Sequence, residues 1–174
     1  MTEMTKKTLI NMIVVFNKIR AYQESGIKVS NKTETIGTIM YQYDSEGMIS
    51  SVYADCCEVG VFYNTKNKIR EVMDHHGEFS LYVTYDENDT VTRAFISNCF
   101  SRKCIPVTGC DNGETVISIN PFSPEFYIFN KDKKLIEVYK DGFNGLTKVS
   151  EEAFNTIKDQ LPQAVLMFIP LMVW

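Results

Sequence analysis

Positive charge is scarce in this sequence. Lys and Arg total 18 against 22 Asp and Glu, a formal net charge of −4. That balance excludes the basic stripe on which nucleic-acid binders depend, so no nucleic-acid partner is expected. It suits an acidic binder of a basic protein. Histidine is limited to His75 and His76, which confines any imidazole base or metal ligand to one place in the chain. The five cysteines (Cys56, Cys57, Cys99, Cys104 and Cys110) are odd in number and follow no paired spacing. They read as reduced thiols of a cytoplasmic protein. No apolar run reaches the ~20 residues of a membrane helix, so no membrane partner is expected. Lys6-Lys7 followed by Thr8–Phe16 faintly resembles a secretion signal, but none is expected, because Asn11 interrupts it, Lys18 and Arg20 follow it, and a small-residue cleavage site is missing. The phosphate-binding glycine loop and the Ser-centred nucleophile elbow are missing too. No catalytic residue, metal or cofactor is expected.

What the sequence does contain is a repeated hairpin. Tyr43 anchors the first copy, with Asp44 at +1, Gly47 at +4, Ile49 at +6 and Val52 at +9. Tyr63, Asn64, Asn67, Ile69 and Val72 repeat the pattern, as do Tyr85, Asp86, Asp89, Val91 and Ala94. A late copy is Phe129, Asn130, Lys133, Leu135 and Val138, and a weak one runs through Cys110, Asp111, Val116 and Ile119. A period of roughly 20 residues marks a repeat architecture. Asp44-Ser45-Glu46-Gly47 suits a type I turn closed by a left-handed residue and a bulge. The residue at +1 can hydrogen-bond the turn backbone.

The stretch Tyr41-Gln42-Tyr43-Asp44-Ser45-Glu46-Gly47-Met48-Ile49 resembles the tyrosine–aspartate (YD) repeat of RHS-type proteins. The resemblance covers about residues 39–142 and is best in the first copy. It implies a chain of antiparallel hairpins that builds a shell or a binding surface, and it implies no catalytic residue.

The whole chain, 1–174, reads as one domain. Leu9, Met12, Ile13, Phe16, Ile19 and Tyr22 share one helical stripe, so residues 5–25 are predicted as a helix. Gly26 is its expected C-terminal cap and Ile27 the usual hydrophobic contact beyond it. The first strand is expected at 35–43 and the hairpin sheet over 35–142. Asn98–Gly113 is expected as an excursion, and Pro121 and Pro124 bound a further loop. Ser150 is the predicted N-cap of a helix over 150–161, with Glu151 and Glu152 in its first turn and Phe154, Ile157 and Leu161 on one stripe. The apolar tail 164–174 is expected to add a buried last strand. The fold class is α+β: a large, twisted antiparallel sheet of successive hairpins, about ten strands and ~45 Å wide, with the N-terminal and C-terminal helices on one face.

Alternation from the Tyr43–Ile49 pair assigns two faces. Tyr43, Tyr63, Tyr85 and Phe129 share the first with Tyr53, Met73, Phe95 and Tyr139, and with Ser51, Glu71, Arg93 and Glu137. The second, mainly hydrocarbon, holds Met40, Val52, Phe62, Val72, Tyr82, Ala94, Phe126, Ile128, Ile136 and Val138. The helices are expected on the hydrocarbon face. That leaves Tyr43, Tyr53, Tyr63, Glu71, Tyr85, Arg93, Glu137 and Tyr139 as a partner-binding surface, since tyrosine and arginine dominate protein contacts. Arg93→Ala is then expected to weaken binding and leave stability unchanged. The function this supports is a non-catalytic protein-binding module. Its most concrete form is a bacterial immunity protein or antitoxin that occludes the active site of a basic toxin domain. One alternative is a hydrolase, either a metal-dependent one using Asp74, His75 and His76 or one using a Cys/His pair. Against it, Asp74–Gly77 falls at a link between hairpins. The other alternative is a structural or accessory subunit joined through sheet edges.

Overall fold

The hairpin turns form because short side chains serve the backbone. Asp44 Oδ1 accepts from the N–H groups of Glu46 and Met48, both at 2.9 Å. Asn64, Asp86 and Asn130 accept at the matching positions of their copies. The residue at +4 has positive φ each time: Gly47 at 79°, Asn67 at 58°, Asp89 at 59° and Lys133 at 61°. Only glycine takes this conformation without cost, and the side-chain hydrogen bonds of the turn help hold the other three in it.

The computed structural model describes residues 3–54, 57–98, 104–108, 113–119, 125–142 and 145–171. Helix α1 (Glu3–Ser25) is followed by strands β1 (Thr33–Ile36), β2 (Ile39–Tyr43), β3 (Ile49–Ala54), β4 (Cys57–Tyr63), β5 (Ile69–Asp74), β6 (Phe79–Tyr85), β7 (Val91–Asn98) and β8 (Cys104–Thr108). These eight form one antiparallel sheet in sequence order. Strands β9 (Thr115–Ile119), β10 (Glu125–Phe129), β11 (Leu135–Gly142) and β12 (Gly145–Lys148) form a second, ordered β12-β11-β10-β9. Helices α2 (Glu151–Asp159) and α3 (Gln163–Leu166) and a 3-10 turn (Ile169–Leu171) complete the chain.

The fold is α+β and mainly antiparallel sheet, but it differs from the expectation in several places. The single broad sheet is two sheets. An open sheet of this breadth is near the size at which sheets divide, and the division falls at the predicted excursion. Parts of that excursion, with Cys99, Cys110 and Asp111, lie outside the described residues, as do Cys56, Pro121 and Pro124. The expected strand 35–43 is the hairpin β1–β2, because Gly37 with φ of 61° turns the chain back. Ile27 is 64% exposed, so it makes no hydrophobic cap contact beyond Gly26. The tail is α3 and a 3-10 turn instead of a last strand, with Val165 buried and Leu166, Met167 and Leu171 exposed.

The assignment of faces is corrected by the bulge. Tyr43 pairs with Ile49, but Gln42 pairs with Ser51, so Ser50 is the extra residue. The same shift occurs at Phe62/Tyr63, Thr84/Tyr85 and Ile128/Phe129. One extra residue inverts all later alternation. The anchor therefore shares its face with +6 and +9, while +8 and +10 point the other way.

Each face then finds its cover. The anchor face of the eight-stranded sheet packs under α1: Met12, Phe16 and Ile19 meet Tyr41, Tyr43, Ile49, Val52, Val72 and Leu81 in one buried core. The anchor face of the second sheet packs under α2 and α3, where Phe129 and Val138 meet Val165, Phe154 and Ile157. Ser150 caps α2 by accepting from Ala153 N–H at 3.2 Å. The helices thus cover different sheets. The +8/+10 faces of the two sheets pack against each other through Phe95, Tyr82, Phe126, Ile128 and Tyr139.

Candidate functional site

The eight residues expected to share one surface are distributed over three places. Tyr43, Tyr63 and Tyr85 lie on the helix side. The Tyr43 hydroxyl donates to Glu34 Oε2 at 2.7 Å, and its ring meets Tyr22 edge-on at 5.3 Å. The Tyr63 hydroxyl donates to the Ile49 carbonyl and the Tyr85 hydroxyl to the Ile69 carbonyl, each at 2.7 Å. Burial pushes the Tyr85 phenol up to about 12, and raises Tyr63 as well. These tyrosines are staples between copies and are not part of an exposed binding surface. Sequence reasoning misplaced them because it carried alternation straight through the bulge.

Glu71, Arg93, Glu137 and Tyr139 do share a face, but it is the one between the sheets. Arg93 is 6% exposed and reaches from β7 to two carboxylates, Glu114 before β9 and Glu137 on β11. Glu137 also accepts from the Tyr139 hydroxyl at 2.8 Å and faces Lys148 Nζ at 3.6 Å. A second link joins Arg70 to Asp141, with Arg70 Nε donating to Asp141 Oδ1 at 3.2 Å. Gly145 lies against the Arg70 stem, where a Cβ would come within 2.9 Å of Cγ. Glu71 is 8% exposed. Burial raises its carboxyl, opposed by hydrogen bonds from Ser80 and Tyr82. Arg93 is therefore no exposed anchor, and Glu114 belongs to its site. No repeat position marks Glu114, so spacing could not find it.

A cleft of about 930 Å3 opens over this network, lined by Thr84, Tyr85, Arg93, Glu114, Glu137 and Lys148 among others. Tyr85, Arg93, Glu137 and Tyr139, four of the eight expected residues, line it. Its carboxylates Glu114 and Glu137 are turned onto Arg93, so their charge joins the two sheets instead of facing the opening. The network ties β7 to the segment before β9 and to β11.

Tyr53 is elsewhere, on a stretch that the second sheet does not reach. Among the described residues the second sheet packs on β5, β6 and β7, and no described element forms a layer over the +8/+10 face of β2–β4, where Phe62 is exposed and Met40, Tyr53 and Glu58 are half-buried. Met40, Tyr53 and Glu58 form one cross-strand row there, and Gln42, Ser51, Gly60 and Met73 the next. The third row is Phe62, Glu71, Tyr82 and Phe95. Phe95 is fully buried under the second sheet, whereas Phe62 is 46% exposed. Glu58 accepts from the Tyr53 hydroxyl, and that bond raises the Tyr53 phenol. His75 Nδ1 lies 3.5 Å from Glu58. Phe62 was expected beneath a helix, and the bulge is the signal that would have placed it here.

The Asp74-His75-His76 motif forms a turn. Asp74 accepts from His76 N–H at 2.6 Å and from Phe79 N–H at 2.7 Å, so both carboxylate oxygens serve the backbone. Among the described residues no three His, Cys, Asp or Glu side chains gather as metal ligands would, and no helix is long and apolar enough to cross a membrane. Cys104 is buried. No protein-family model, curated protein or solved structure matches the chain.

Proposed function

We propose that this chain is a non-catalytic protein-binding module that docks its partner on the bare stretch of β2–β4. The observation that carries this reading is Phe62, 46% exposed in the cross-strand row that ends in the fully buried Phe95. Large aromatic side chains beside Met40 and Tyr53 supply the apolar anchors typical of contact centres. The half-buried Glu58 on this face favours a basic partner. A partner lying there would do for β2–β4 what the four-stranded sheet does for β5–β8. In its most concrete form the module is a cytoplasmic bacterial immunity protein or antitoxin that occludes the active site of a basic toxin domain. A repeat scaffold like that of RHS-type proteins suits a broad, rigid docking surface.

The test is a titration of the isolated partner. A Tyr53→Ala, Phe62→Ala double variant should bind at least about tenfold more weakly, with its melting temperature little changed. Tyr63→Phe, on the other face, should bind as the wild type does. Affinity unaltered in the double variant would move the docking surface elsewhere. Failure to find any protein bound more tightly than about micromolar would end the binding reading.

A further inference from the structure

The bare stretch has a counterpart on the same chain. The outer face of α1 exposes Ile10 at 52% and Val14 at 40%, one turn apart. Lys6 and Lys7 are exposed beside them. On the sheet, Phe62 is exposed and Met40 and Tyr53 are partly so, with the half-buried Glu58 as the charge. The two patches are complementary: each offers apolar side chains, and the ammonium groups of one suit the Glu58 carboxylate of the other. The dimensions agree as well. The bare floor ends at the edge of the second sheet, a layer about 10 Å thick, and a helix with its side chains is about 10 Å across. A helix laid in that step would continue the layer that the four-stranded sheet leaves unfinished. The helix of the same chain cannot do this. Met12, Phe16 and Ile19 are fully buried and hold α1 on the opposite side of the sheet. An α1 that fills the step therefore belongs to a second copy.

We infer that a second copy of this chain lays the outer face of its α1 on the bare floor of β2–β4. The contact joins two different patches, so it is heterologous and each added copy leaves one patch of each kind open. Association proceeds head to tail. The floor is about three strands wide and five residues long, on the order of 240 Å2 in projection. Tight complexes bury roughly 800 Å2 per partner, so a dissociation constant of about tens of micromolar or weaker follows. The inference shares its floor with the proposed partner site, and to that extent rests on it: self-association and partner binding exclude each other.

Sedimentation velocity on the full chain, from roughly 5 to about 500 µM, reads this directly. The average mass should rise with concentration. Ile10→Asp removes one patch and Phe62→Asp the other, so each variant alone should sediment as a monomer. Their equimolar mixture should form a dimer and nothing larger, because one intact patch of each kind remains. Val14→Asp and Tyr53→Asp replace the first pair if either loses its cooperative melt. A wild-type chain that stays monomeric throughout overturns the inference. So does a mixture that stays monomeric while the wild type associates. Either result leaves the proposed partner site standing, since that site is tested by titrating the partner onto monomer.

Discussion

The Tyr63 hydroxyl donates to the Ile49 carbonyl at 2.7 Å, tying one hairpin copy to the next. The β3–β4 ladder ends at the Ser51–Gly60 pair, so the Ile49 carbonyl lies beyond its last rung. The Tyr85 hydroxyl repeats the arrangement on Ile69, beyond the Glu71–Tyr82 pair. Tyr63→Phe leaves a partly buried carbonyl without its donor and should cost about 1–2 kcal/mol in urea unfolding. Partner affinity should not change.

Arg93→Ala should be among the most damaging single substitutions. It leaves Glu114, 6% exposed, as a buried charge without its guanidinium. Breaking a buried pair this way typically costs about 3–5 kcal/mol. Arg93→Met combined with Glu114→Gln and Glu137→Gln should recover most of the loss, because no unpaired charge then remains. Chemical denaturation of the single and triple variants checks both statements.

Gly47 and Lys133 occupy the same turn position with opposite consequences. Gly47 has φ of 79°, and a Cβ there would approach the Val29 carbonyl oxygen to 3.0 Å. Gly47→Val should destabilise by about 1–3 kcal/mol. Lys133 holds φ of 61° with a full side chain. Lys133→Gly should be stabilising by up to about 1 kcal/mol, the released strain exceeding the added chain entropy. Thermal melts of the two variants should shift in opposite directions.

Glu71 has its carboxyl raised, chiefly by burial. A folded acid with a raised pKa holds its proton to higher pH than the unfolded chain does. Its burial therefore opposes folding at neutral pH, and the penalty fades as pH falls through the folded value toward the unfolded one. Glu71→Gln should raise the melting temperature at pH 7, with a smaller gain near pH 4.

Alkali should unfold the protein through its tyrosines. Burial raises the phenols of Tyr43, Tyr63, Tyr82, Tyr85 and Tyr127, Tyr85 to about 12. The unfolded chain loses these protons near pH 10 while the folded chain keeps them, so stability falls above that pH. The slope approaches about 1.4 kcal/mol per pH unit for each such tyrosine. A tyrosinate absorbance titration should show ionisation coinciding with loss of circular dichroism.

Local chemistry was legible in the sequence wherever a few neighbouring residues decide the backbone. Asp44, Asn64, Asp86 and Asn130 mark the turns because their side chains bond to amides two and four residues on. The stripe from Leu9 to Ile19 marks α1, and Ser150 marks the start of α2. What neighbours cannot decide is which side of a sheet is covered. The bulge at Ser50, Arg70, Thr92 and Ile136 sends the anchor tyrosines under the helices and Arg93, Glu137 and Tyr139 between the sheets. The partnership of Arg93 with Glu114 joins residues from different sheets, and the exposure of Phe62 depends on where the second sheet stops. Those facts arise from layers meeting in space, where burial is shared among distant segments, and only the folded chain decides them.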